Sequence, residues 1–222
     1  MEINDIVQAS LSLDIQTKHH ELIHKFLSHS MYFAADPPKQ ETSLAKSTML
    51  CMLGAYTQLA KPKTYLEIGT RRGHSVCMVS LCAQEPVRTY CFDLWQDNYA
   101  NEANPGPNFV QNEFNKTNPN NCTIQFGTGD SKVTIPQFLG PNKFIDLVLV
   151  DGDHSDNGAL TDLHNVINHI SVGGLLVFDD IACPQTPSLL NVWRSFIVNF
   201  KNFEPFENKE CNNGWAVAIR RS

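Results

Sequence analysis

The stretch Thr64–Ser75, TYLEIGTRRGHS, constrains this chain more than any other. Residues Thr64–Ile68 form a short apolar run with an aromatic and β-branched bias, which predicts a buried strand stopping at Glu67-Ile68-Gly69. Ser75, Val76, Met78, Val79 and Leu81 then open a segment that predicts a helix. A strand feeding a glycine turn and a helix leaves free N–H groups and the positive end of a helix dipole at the strand's carboxyl edge, a cradle for negative or strongly accepting ligand groups. Glu67 sharpens this reading. A carboxylate at the last buried turn of a central strand is costly without a partner, and a cationic ligand group would serve. Arg71 stands where the dinucleotide fingerprint G-x-G-x-x-G has its second glycine, which argues against a pyrophosphate pressed onto the backbone.

Four further runs read as strands that end in polar or acidic residues. Arg88–Asp93 places Asp93 26 residues beyond Glu67, near the separation at which a second-strand carboxylate meets ribose hydroxyls, and a loop acid or helix cap is the alternative. Cys122–Phe126 leads into Gly127-Thr128-Gly129-Asp130-Ser131, where Asp130 also suits a helix cap. Phe144–Val150, FIDLVLV, has the composition of a central parallel strand buried on both faces and runs into Asp151-Gly152-Asp153-His154. The next helix carries Leu160, Leu163, Ile167 and Ile170 on one face, and Gly173-Gly174 turns the chain into Leu175–Phe178 and then Asp179-Asp180. Asp151, Asp179 and Asp180 therefore meet at one sheet edge. Three carboxylates in one crevice raise one another's pKa or hold a cation, and hard oxygen donors favour Mg²⁺, with Mn²⁺ or Ca²⁺ as substitutes.

The pattern E-I-G-x-x-x-G-x-S resembles the first motif of the class I S-adenosylmethionine-dependent methyltransferases, in the form found in catechol O-methyltransferase-like enzymes. The spacing from Asp151 to Asp179, with Asp179-Asp180 as the final pair, is similar to the metal site of catechol-type and sugar O-methyltransferases, closer to the sugar branch. The resemblance covers about residues 43–220. It implies a Rossmann-like α/β three-layer sandwich: a mostly parallel seven-stranded sheet, an antiparallel last strand and a small helical N-terminal cap. It also implies S-adenosyl-L-methionine held by Glu67, Gly69, Thr70, Gly73, Ser75, Asp93, Asp130, Ser131 and Asp151, with metal on Asp151, Asp179 and Asp180. His154 takes the position of the catalytic lysine of the catechol-type enzymes and is the candidate base; Asp151 is the alternative. The expected reaction is metal-assisted O-methylation of a hydroxyl on a small molecule or sugar. Three rivals stay open: metal-independent transfer, a binding module without catalysis, and a dehydrogenase.

The rest of the chain is read as support. Residues 1–60 are expected to form a helical extension and 61–222 the methyltransferase unit, with a helix over Thr17–Ser30, a break at Asp36-Pro37-Pro38 and a second helix over Ser43–Leu59 that roofs the site. His19, His20, His24 and His29 fall on the first of these; His20 and His24 are four apart, and a solvated face is preferred to a metal site. Trp95–Asn121, rich in Asn and Pro, reads as a surface excursion carrying a short helical stripe at Phe109, Val110 and Phe114. The terminal segments Phe203–Glu207 and Trp215–Ile219 read as a hairpin. Seven cysteines without metal spacing are expected to be reduced core thiols. A net charge of −6 argues against a nucleic-acid partner, and no apolar run approaches the roughly 18 residues a membrane helix needs, so no membrane partner and a cytoplasmic location are expected. Monomer and homo-oligomer are both compatible with the sequence.

Overall fold

The computed structural model describes residues 1–26, 43–97 and 103–222. Its centre is a seven-stranded sheet of order β3-β2-β1-β4-β5-β7-β6. The strands are β1 Thr64–Ile68, β2 Arg88–Asp93, β3 Thr123–Thr128, β4 Ile145–Val150, β5 Ile170–Asp179, β6 Phe203–Asn208 and β7 Trp215–Arg220. The first five pair in parallel, and β7 runs antiparallel to both β5 and β6. Helices α1 Ile3–Ser10, α2 Leu13–Glu21, α3 Met49–Ala60, α4 His74–Cys82, α5 Gly106–Lys116, α6 Ser131–Leu139, α7 Asp156–Ile167 and α8 Leu189–Ile197 complete the fold.

The strand sequences dictate the layers. Successive side chains alternate between faces, so a central strand apolar at every position must be covered twice. Leu147 and Leu149 of β4 join Tyr65, Val177 and Val217 in a core shared with α1–α5. Val148 and Val150 join Leu66, Leu176 and Ala218 in a second core with α6–α8. The amino-terminal layer is also stitched by hydrogen bonds: the Tyr56 hydroxyl donates to the carbonyls of Asp146 and Gly173 at 3.1 Å each. Trp215 Nε1 donates to the Ser47 carbonyl at 2.6 Å. All seven cysteines are buried and free, as small core residues. No helix among the described residues is long and apolar enough to cross a membrane.

Several boundaries differ from the sequence reading. Within the expected helical extension, residues 3–10 form α1 around buried Ile3, Ile6 and Val7. The helix expected from Thr17 begins at Leu13, capped by Ser12, and passes into a π-helical turn Leu22–Phe26. His29 and Asp36-Pro37-Pro38 lie outside the described residues. The helix expected from Ser43 is a 3₁₀ turn Leu44–Lys46 followed by α3, because the Thr48 hydroxyl accepts from Cys51 N and starts a new helix there. Residues 106–116 of the supposed excursion are α5, with Val110 and Phe114 buried; residues 98–102 lie outside the described residues. Ile170 pairs with Ile145 as the first residue of β5, and an irregularity before Leu175 absorbs Gly173-Gly174.

Candidate active site

In an open parallel sheet, ligands bind beyond the carboxyl ends of the strands, where neighbouring connections leave in opposite directions. Here that point lies between β1 and β4, and the sequence makes the junction tight. Gly69 has φ of +94°, and a Cβ there would overlap the Asp151 carbonyl oxygen, so only glycine fits. Asp151 N donates to the Ile68 carbonyl at 2.9 Å, locking the two strand tails together. Gly73, φ +79°, leaves room for Val110 of α5 to press on the turn. Asp93 pins the same turn: its carboxylate accepts from Arg71 N at 2.7 Å and from Trp95 N at 2.6 Å.

A cavity of about 300 Å³ opens at this junction and is lined by Gly69, Thr70, Ser75, Asp151, Asp179 and Asp180 from the expected set. Glu67 lies behind it, fully buried. Its Oε2 accepts from the Tyr65 and Ser75 hydroxyls at 2.6 Å each, while Oε1 has no hydrogen-bond partner among the described residues, and burial pushes its pKa up. The partner expected from a ligand is thus supplied in part by the protein's own hydroxyls. Asp93, Asp130 and Ser131 stand at the tails of β2 and β3, outside the cavity lining. The Asp130 carboxylate caps α6, accepting from Lys132 N at 2.9 Å.

The acids of β4 and β5 crowd the cavity floor. Asp179 is one step past the Val150–Phe178 pair, which sets it beside Asp151, and Asp180 adopts a left-handed φ of +61° that swings its side chain inward. His154 Nε2 lies 3.3 Å from Asp151 Oδ1 and 3.3 Å from Asp180 Oδ2. Asp151, His154 and Asp180 each offer a ligand atom within 4.8 Å of the others, a grouping that does not include Asp179. Burial pushes the Asp151 carboxyl up against the hydrogen bond from His154, and burial together with Asp151 and Asp180 pushes Asp179 well up. The bond to Asp151 holds the His154 ring above its ordinary pKa.

The structure also brings in residues that sequence reasoning did not select. Arg71, Arg72 and His74 line the cavity from the glycine turn, His19 from α2, and Asn212 and Asn213 from the turn between β6 and β7. Arg71, Arg72 and His74 sat inside the motif and were legible as its variable positions. The solvated face expected of these histidines does not extend to His19, which is buried; the rings of His20, half-buried, and exposed His24 lie 4.2 Å apart, tilted by 39°.

A sequence-family profile described as a methyltransferase domain matches residues 66–181, just over half of the chain, so the protein belongs to that family. Its sheet order, with an antiparallel β7 and a cavity beyond β1 and β4, is that of the class I S-adenosylmethionine-dependent methyltransferases. Among solved structures, the O-methyltransferase TomG of Streptomyces achromogenes, determined with S-adenosylmethionine, superposes with a TM-score of 0.62 at 14% identity, over 94% of this chain and 90% of that one. An O-methyltransferase of Bacillus cereus bound to S-adenosylhomocysteine gives 0.63 at 14%, covering 92% and 91%. A putative caffeoyl-CoA O-methyltransferase of Staphylococcus aureus gives 0.63 at 11%, covering 90% and 91%. No curated protein sequence matches significantly. At these identities the structural likeness speaks for the fold.

Proposed function

We propose that this S-adenosylmethionine-dependent methyltransferase transfers its methyl group to a hydroxyl of a small molecule or sugar, assisted by a divalent cation. The observation that carries the reading is the position of His154, its Nε2 3.3 Å from one oxygen of Asp151 and of Asp180 on the cavity floor. The donor set suits a hard divalent ion: Asp151 and Asp180 offer oxygens within 4.8 Å of each other, and Asp179 stands beside Asp151 as a further acid. Bound there, the ion would lower the pKa of an acceptor hydroxyl and neutralise the crowded carboxylates. Glu67, Gly69, Thr70, Gly73 and Ser75 form the cofactor turn in this proposal, with Asp93, Asp130 and Ser131 along the nucleoside side. S-adenosylmethionine supplies an activated methyl group.

What the chain's own residues do follows from their placement. In this proposal Asp151 and Asp180 hold the His154 imidazole beside the floor, and the ring in its neutral form takes the proton from an acceptor hydroxyl held there, with Asp151 as the alternative base. A hydroxyl near its ordinary pKa is a poor nucleophile, so proton removal is the step this site has to supply. The layer before β1, including Thr48 and Met49 at the cavity wall, excludes water and shapes the acceptor mouth. The test is methyl transfer from S-adenosylmethionine to a panel of catechols, sugars and other hydroxylated compounds, with EDTA and then with Mg²⁺ or Mn²⁺ restored. Loss of at least 10-fold in EDTA, recovered by metal, is the expected result.

A second reading, metal-independent transfer, draws on the same histidine. A protonated His154 between Asp151 and Asp180 already provides a positive charge where the cation would sit. Rates indifferent to EDTA would favour it. A panel on which no hydroxyl is methylated, with cofactor bound, would point instead to a binding module.

A further inference from the structure

The cavity's other end lies over the glycine turn and has a different chemistry. Helix α4 starts there; its N-cap is Gly73, so no side chain occupies the free N–H groups of the first turn. Arg71 and Arg72 line the same end. Opposite them, α2 presents His19, which is only 9% exposed. Its Nε2 has no hydrogen-bond partner among the described residues. A ring nitrogen shut away from water and unpaired is destabilising until a ligand group meets it. Burial, helped by neighbouring His20, holds the ring down to about 4, so it is neutral at pH 7 and carries one N–H.

Uncapped helix N–H groups attract negative charge, the two guanidinium groups add to that field, and a neutral imidazole donates one directed hydrogen bond. Together they describe a carboxylate site. S-adenosylmethionine has a single carboxylate, at its amino-acid end. We propose that His19 is a cofactor-binding residue that donates from Nε2 to that carboxylate, closing the pocket from a layer outside the matched span 66–181. The inference rests on the methyltransferase reading and adds to it a residue on which selectivity for the amino-acid end depends.

The experiment compares two ligands by titration calorimetry on the full chain. S-adenosylhomocysteine carries the amino-acid end; 5′-methylthioadenosine keeps the adenosyl thioether and lacks it. His19→Leu should weaken S-adenosylhomocysteine about 10-fold or more and leave 5′-methylthioadenosine within about two-fold. His19→Gln, which retains a donor, should recover most of the loss. Unchanged S-adenosylhomocysteine affinity in His19→Leu overturns the proposal. So does an equal loss for both ligands, or a loss that His19→Gln does not recover, since either marks a packing role. Wild-type protein that binds neither ligand overturns the cofactor reading itself, and this proposal with it.

Discussion

Two histidines line the cavity and a third lies against its acids, and their pKa values are pushed in opposite directions. At the glycine-turn end, burial pushes His19 down to about 4, and burial with Arg72 and Arg71 nearby pushes His74 down to about 4. At the strand-tail end, His154 is half-buried as well, yet the carboxylates of Asp151 and Asp180 hold its ring above the ordinary value near 6.5. Desolvation alone favours the neutral ring, and only an opposing charge within a few ångströms reverses it. The first end is therefore arranged to receive negative charge, and the second to hold positive charge. A donor with an anionic tail and an acceptor that must lose a proton fit those two ends respectively.

The sharpest way to break the contrast is to remove the imidazole from the acidic end. His154→Gln keeps a polar side chain of similar reach but no basic ring nitrogen, and methyl transfer should fall about 10³-fold while S-adenosylhomocysteine binds within about three-fold of wild type. Equal transfer rates in the two proteins would remove His154 from the chemistry.

A smaller effect reads the other end through stability. His19 and His74 have folded pKa values below the unfolded value near 6.5, so their contribution is present above that pH and is lost as pH falls toward about 4. Each lowers stability by about 1.4 kcal/mol per pH unit through the middle of that window. Asp162, fully buried on α7 and raised to about 6, has the opposite sign: its contribution is present below the unfolded value near 3.8 and is lost as pH rises through about 6. Glu67, Asp151, Asp179 and His154, also raised, act in the same direction as Asp162, so the test lies in the differences between variants. In urea unfolding of the apo protein between pH 6 and 5, acidification should cost His19→Leu less stability than wild type and Asp162→Asn more. Slopes that do not move apart would mean these groups are hydrated in the folded chain.

The smallest effect is expected away from both ends. Lys132 and Asp153 pair at 3.1 Å on the surface, each side chain more than a third exposed. Lys132→Ala should change unfolding free energy by no more than about 0.5 kcal/mol and leave transfer rates unaltered.

Much of the architecture was readable in the chain. Apolar runs ending in Glu67, Asp93, Asp151 and Asp179 marked parallel strands whose tails share an edge, and the Phe203–Ile219 region marked the final hairpin. Local periodicity carried that information. It failed where one side chain changes the local rule: Thr48 restarts a helix, and Ile170 sits in a strand because Ile145 lies beside it. It also failed for α5, whose two buried anchors, Val110 and Phe114, are scattered among asparagines. At the site, the acids were legible as a group, but their division of labour was not. The sequence placed Asp179 with Asp151 and Asp180; in the structure Asp179 stands beside Asp151, and His154 lies between Asp151 and Asp180.

Sequence alone determined the methyltransferase fold and the edge on which its chemistry lies, because strand burial, glycine turns and terminal acids are encoded by near neighbours. Only the tertiary structure decided which histidine rings burial holds down and which one its neighbouring acids hold up. Protonation depends on distances to groups far away in the chain, such as Asp180 from His154, and on how completely α2 buries His19 against the turn.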